Sequence, residues 1–189
     1  MSSVVSHLGP GELEAGLDNI RSAPKETGSL ELIVRRPAVG VREELVEAEL
    51  DTDHGLVGDT WRMRSSRRTA DGSPHPDMQL NIMSSRVVAL VAQHKARWAL
   101  AGDQLFVDLD LSEANLPAGT RLAIGEAIVQ VTDQPHTGCA KFVERFGVDA
   151  MKFVNSEVGR ELNLRGINAR VVQPGTIRVG DAVRKISAL

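Results

Sequence analysis

Cys139 is the only cysteine in a chain of 189 residues. It follows Pro135, His136, Thr137 and Gly138, and it precedes a run beginning Ala140-Lys141-Phe142 that reads as helix. This polar, glycine-bearing approach puts the thiol at a loop-to-helix junction. Helix-terminal amides, with His136 and Lys141 close in sequence, suit a thiolate, the form that ligates metals and attacks electrophiles. The competing reading is a small buried hydrophobe, a common fate of a free cysteine. A second concentration of chemistry lies between Trp61 and Ala70, where Arg62, Arg64, Arg67 and Arg68 alternate with Ser65, Ser66 and Thr69. Guanidinium forks grip phosphate bidentately and hydroxyls add short hydrogen bonds. Arg62, Arg64 and Arg68 are therefore candidates to line an anion pocket, with Lys141 and Arg170 as further cations. Against this stand a solvated basic loop and, for Arg170, an outward-facing place on an alternating strand.

Other constellations carry less. His136 and Cys139 would need more ligands to hold zinc; Asp53, His54, His75 and Asp77 could join them only if folding happened to gather them, so zinc is not favoured. No glycine-rich stretch matches a nucleotide fingerprint and no nucleophile elbow is present. The net charge of -3 argues against a general nucleic-acid binder. With 3% aromatic residues and no tyrosine, stacking platforms are scarce and the core must rest on Val, Leu, Ile and Ala. Trp61 and Trp98 are expected at the core or its edge. A single cysteine excludes an internal disulfide and fits a reducing compartment. With no basic-then-apolar leader and no run of membrane-span length, the expected location is cytoplasmic and no membrane or nucleic-acid partner is expected.

The elements that must position these groups are mostly strands. Glu12 to Ile20 reads as a short helix closed before Pro24. Strands are expected at Leu30–Val34, near Glu47–Asp51, at Met78–Met83, Leu105–Leu111, Arg121–Ile124, Ala127–Val131, Ala169–Val172, Ile177–Val179 and Ala182–Ile186. A helix capped by Ser84 or Ser85 carries Val87, Val88, Val91 and Trp98 and ends near Gly102, with His94 on it as a surface or packing residue. Helices are also expected from Cys139 to Phe146 and after a capping Asp149. The segments Gly119–Val129 and Gly175–Val183 echo each other as strand, Gly-acid turn and strand. Many short strands with glycine turns argue for a barrel or a sandwich.

Several fragments, in order, resemble the MOSC domain family, the module named for the C-terminal part of molybdenum cofactor sulfurase. They are Gly55-Leu56-Val57-Gly58-Asp59, Gln79-Leu80-Asn81-Ile82, Ala101-Gly102-Asp103-Gln104-Leu105-Phe106-Val107, Leu116-Pro117-Ala118-Gly119-Thr120, the segment around Cys139, Gly166-Ile167-Asn168-Ala169-Arg170, and Pro174-Gly175-Thr176. The resemblance decides for the barrel: a mainly β, MOSC-type β-barrel with short peripheral α-helices. Residues 1–29 would be an N-terminal extension packed on the barrel and residues 30–189 a single MOSC domain. The resemblance implies that Cys139 ligates molybdenum held by molybdopterin, with Arg62, Arg64, Arg68, His136, Lys141 and Arg170 around the cofactor. The protein would then be an oxidoreductase acting on N-oxygenated small molecules, served by a separate electron-donor protein because one cysteine cannot hold a cluster. The alternative is a non-catalytic carrier or binding domain for that cofactor or for sulfur. Where the family commonly has a histidine soon after the Gly-Asp pair, this chain has Thr60-Trp61-Arg62, and no lysine stands out to hold pyridoxal phosphate.

Overall fold

A computed structural model describes residues 6–186. In chain order its helices and strands are α1 (Pro10–Ala15), α2 (Leu17–Arg21), β1 (Thr27–Arg35), β2 (Glu43–Leu45), β3 (Glu47–Asp51), β4 (Gly55–Leu56), β5 (Leu80–Ser84), α3 (Ser85–Ala92), β6 (Leu105–Asp108), β7 (Arg121–Ile124) and β8 (Ala127–Val131). There follow α4 (Ala140–Phe146), α5 (Val148–Asn155), α6 (Glu157–Glu161), β9 (Ile167–Gln173), β10 (Gly175–Arg178) and β11 (Ala182–Ile186). Short 3-10 turns span Thr60–Met63, Pro76–Met78 and Lys95–Ala101.

Seven strands close into a mixed barrel in the order β11-β7-β8-β9-β5-β6-β1, and β1 returns to β11. The seam is short, pairing Thr27 with Arg184, Gly28 with Val183 and Ser29 with Ala182. The far end of β1 carries β2, and β10, β3 and β4 form a separate three-stranded ribbon. The barrel is antiparallel except for β5 and β6, which run parallel and are linked through α3. Parallel neighbours need such a crossover because a tight turn cannot reverse the chain twice.

β1 shows how the sequence serves two layers. Leu30 and Ile33 point into the barrel, whereas Leu32 and Val34 pack under the helices. A register shift between Leu30 and Leu32 reconciles this spacing with the two-residue pleat. The barrel interior is wholly aliphatic, and Trp98, Phe106, Phe142 and Phe146 lie between barrel and helices, in the layer that also takes Leu13 and Ile20 of the N-terminal helices. Trp61 and Trp98 are each 9% exposed, at the core edge where they are expected.

Some expected elements differ. The N-terminal helix is broken at Gly16 into α1 and α2. The helix after β5 stops at Gln93, which is left-handed at φ 63°, and Trp98 belongs to the following 3-10 turn, with exposed His94 outside both. Asp149 lies in the first turn of α5, whose cap is Gly147. The first echo is a true hairpin, with Ile124 opposite Ala127 across Gly125-Glu126. The second is not: β10 pairs with β3 while β11 turns back into the barrel.

At the seam, Gly28 lies so close to the Asp108 carbonyl that a Cβ would overlap it. Gly28→Val has the better strand propensity yet forces β1 off β6. We expect it to lower unfolding stability by about 3 kcal/mol, read as a drop in urea midpoint, because the backbone must shift to make room.

Candidate functional site

The end of β1, strand β5, the turn before β9 and helix α4 surround a cavity of about 400 Å³. Its floor is set by two buried ion pairs. Arg36 forks onto Asp59, with Nε 2.8 Å from Oδ1 and Nη2 2.7 Å from Oδ2, and its own backbone N–H donates to Oδ1 at 2.9 Å. Asp59 also accepts from the Trp61 N–H at 3.0 Å, which caps the 3-10 turn. Burial pushes the Asp59 carboxyl up, but the hydrogen bonds and charge of Arg36 outweigh it and hold the group below its ordinary value. Arg165 donates to Asp103 Oδ2 at 2.7 Å and to the Ala101 carbonyl at 2.9 Å, and its guanidinium lies 5.1 Å over the Phe142 ring.

His136 is mostly buried, its Nδ1 3.5 Å from Asp103 Oδ1. Gly166, at φ 106°, makes room for it: a Cβ there would be 3.3 Å from His136 Nδ1 and would overlap the Ile82 carbonyl oxygen. Burial, with Arg165 and Arg36 nearby, lowers the His136 pKa well below its ordinary value, so the ring is neutral at pH 7. Burial raises the Asp103 carboxyl, with Arg165 and Arg36 pulling the other way.

Above this floor stand Arg42, Arg64, Lys141 and Arg145, all lining the cavity and none paired with a carboxylate among the described residues. Burial, then the closeness of Arg145 and Arg36, lowers the Arg42 pKa from its ordinary value. Cys139 lines the same cavity, exposed, as the cap of α4. Among the described residues the buried polar side-chain atoms lacking a hydrogen-bond partner are Arg42 Nε, Arg165 Nε, the pair Asp103 Oδ1 and His136 Nδ1 (3.5 Å from each other), and Ser84 Oγ. All but the last belong to this site. Folded proteins seldom leave such groups unmatched, so their concentration singles out this part of the structure.

Of the residues singled out in the sequence, Arg64, His136, Cys139 and Lys141 meet at the cavity. Arg62 instead contacts His54 at 2.9 Å, Arg68 reaches Gln134 at 3.1 Å, and Arg170 pairs with Asp77 at 3.4 Å beside a different hollow. Sequence reading missed Arg36, Arg42, Asp103, Arg145 and Arg165. Two had a signal: Asp103 sits inside the Gly102-Asp103-Gln104 fragment, and Arg165 directly precedes Gly166.

The reductase centred on a cysteine-ligated metal is corrected. Among the described residues no group of three or more His, Cys, Asp and Glu side chains converges on a metal position, and the zinc grouping is likewise not assembled. Cys139 offers one exposed sulfur in a field of arginine and lysine, which repels a bare cation and attracts an anion.

The barrel with its helical flank is a fold shared with known proteins. The MOSC domain family matches residues 72–184, and the chain belongs to that family. The fold is similar to that of YuaD from Bacillus subtilis, at 17% identity over 86% of this chain and 97% of that one, with a TM-score of 0.65. It is similar to YiiM from Escherichia coli, at 21% identity over 85% and 71%, TM-score 0.54. It is also similar to YiiM from Geobacillus stearothermophilus, at 16% identity over 85% and 73%, TM-score 0.51. No curated protein matches the chain. Among the described residues no helix is long and apolar enough to cross a membrane.

Two predictions come from this geometry. Asp59 is depressed in the folded state, so its contribution is present at neutral pH and is lost as pH falls through the folded pKa, below the ordinary value of about 3.9. Asp59→Asn should cost about 3 kcal/mol at pH 7 by leaving Arg36 buried and unmatched, and should flatten the acid limb of a stability-against-pH curve. Second, Cys139 in folded protein should be alkylated by iodoacetamide at a rate within about tenfold of a free thiol. Mass spectrometry showing it inert would make it a buried structural cysteine.

Proposed function

We propose that the protein is a non-catalytic binding and carrier domain for the molybdenum cofactor or for sulfur destined for it. The observation that carries this reading is the set of cations at one cavity: Arg42, Arg64, Lys141 and Arg145, none paired with a carboxylate among the described residues, beside an exposed thiol. Such a donor set suits an anionic, sulfur-bearing ligand. Arg42, Arg64, Lys141 and Arg145 would hold the phosphate of molybdopterin. Burial and, after it, the charge of Arg145 lower Arg42, and an anion between the two arginines would offset both effects. The paired Arg36 and Arg165 keep the floor rigid. Bound there, the cofactor would supply its sulfur and metal chemistry to the enzyme that receives it, while this chain binds and releases it.

The exposure of Cys139 favours sulfur carriage as a second reading, in which the thiol holds a sulfane sulfur received from a donor persulfide by exchange. A reducing, cytoplasmic compartment would keep that thiol available. A small-molecule ligand and a protein that receives it are the partners this reading requires.

Protein purified from a host that makes molybdopterin should release fluorescent oxidised pterin near one equivalent. The Arg42→Ala/Arg145→Ala pair should lower that about tenfold or more, with circular dichroism unchanged. Cys139→Ser should keep the pterin and lose any sulfur released by cyanide. Wild-type protein carrying neither pterin nor sulfane sulfur would refute both readings.

A further inference from the structure

Helix α5 has two working faces. One holds the loop that carries the thiol. Asn155 Oδ1 accepts from the Gly138 N–H at 2.8 Å, and Asn155 Nδ2 donates to the Gly138 carbonyl at 3.3 Å. A Cβ on Gly138 would lie 3.2 Å from Val154 and 3.3 Å from Met151 and Asn155, so the loop rests directly on this face. Gly138 immediately precedes Cys139. At 3.6 residues per turn, Asp149, Lys152, Phe153 and Ser156 fall on the opposite side of α5. That side, with α1, the start of α2 and α6, encloses a groove of about 580 Å³.

The groove is apolar within and acidic at its walls. Leu17, Phe153 and Val158 are its half-buried apolar residues, and Leu17 and Phe153 pack on the outer apolar layer. Glu14, Asp149 and Glu157 also line it, none of them in an ion pair among the described residues, against Lys152 as the one cation of the lining. Two of the three carboxylates have a local reason to be there. Asp149 and Glu157 lie in the first turns of α5 and α6, where negative charge suits the helix dipole. Glu14 has no such reason. It lies in the last turn of α1, the end that favours cations, and that turn holds no basic residue.

We infer that this groove docks an amphipathic helix of another protein, with one apolar stripe flanked by lysine and arginine. A helix laid in a groove is recognised by apolar anchors at i, i+3, i+4 and i+7, and the carboxylates of the walls complement a basic flank. The eight residues of α5 span about 12 Å, so the groove takes about two turns of the guest. A second copy of this chain fits poorly, because a two-fold contact sets each patch against itself and brings the same carboxylates together. That the docked protein is the one receiving the cargo rests on the carrier reading above; the docking itself does not. Seated there, the guest stands one helix diameter, about 10 Å, from the backbone that places Cys139.

The test uses the full chain and three dye-labelled peptides of about five turns, roughly 18 residues. One has leucine at helical spacing and lysine elsewhere, the second replaces every lysine by glutamate, and the third is a scrambled leucine and lysine sequence with no apolar face. Fluorescence anisotropy should show the first binding about tenfold or more tighter than either control. Phe153→Ala and, separately, Glu14→Gln/Glu157→Gln should each weaken it about tenfold, with circular dichroism unchanged. Equal binding of the ordered and scrambled peptides would overturn the groove as a helix site. Binding that survives both variants would also overturn it. A dimer in sedimentation that Phe153→Ala dissolves would make a second copy the occupant and overturn the proposed guest. If the peptide results hold while the pterin and sulfane-sulfur assays fail, the docking stands and the guest's role as recipient falls.

Discussion

The two-pronged contact between Arg36 and Asp59 ties the end of the first strand to the turn that carries Trp61, beside a backbone bond from the Thr60 N–H to the Arg36 carbonyl at 3.0 Å. Arg36 directly follows β1; Asp59 caps the turn that carries Trp61, with Arg64 at its far end. The same arginine reaches the Gly102 carbonyl at 3.0 Å and Asn81 at 3.3 Å, and Gln104 reaches Asp59 at 3.3 Å. A buried pair of this kind gives little net stability, since both ions lose their water. What it gives is position. The strand end, the arginine-bearing turn and the start of β6 are fixed relative to one another, and the cavity wall follows. Arg165 and Asp103 repeat the device on the other side, with Phe142 closing over the guanidinium. Two arginines thus hold the cavity in shape, which separates them in role from Arg42, Arg64, Lys141 and Arg145, which have no carboxylate partner among the described residues.

The partition of apolar residues has a similar logic. The inside of the barrel is filled by branched aliphatic side chains, which suit inward strand positions of limited girth. The few large rings fall on the outer face, where helices of irregular direction leave larger gaps. Phe142 and Phe146, in edge-on contact at 4.9 Å, pin α4 to the barrel. Since Cys139 caps that helix, the packing of two phenylalanines decides where the thiol stands.

Much of the fold could be read from residue order alone because it is local. The β7–β8 hairpin, with its Gly125 at φ 53°, and the strand β11 match their expected bounds. What failed was tertiary in origin. Nothing in Gly175–Val183 says that its first strand belongs to another sheet, and nothing marks Gln93 as left-handed. The site shows the same division. Cys139, His136 and Lys141 share a segment whose residue types advertise chemistry, and they do share a cavity. The arginine run misled because adjacency along the chain sends Arg62 and Arg68 to different neighbours from Arg64. Arg42 and Arg145, which line the same cavity, are more than a hundred positions apart, and only folding brings them together.

The barrel's seam lies between its first strand and its last. β1 waits for β11, and the three residue pairs that close the ring involve positions 182 to 184. During synthesis, therefore, the ring cannot be completed while those residues are still inside the ribosomal tunnel, even though β1, β6 and the β7–β8 hairpin have long since emerged. Until then the Thr27–Ser29 end of β1 keeps a bare edge, the kind of edge that invites pairing with other chains, while β2 covers its far end. The N-terminal helices α1 and α2, made before any strand, bury Leu13 and Ile20 in the outer apolar layer together with Leu32 and Val34 of β1. They give the nascent chain an early cover for one face of its opening strand, though not for the edge, during the interval before closure.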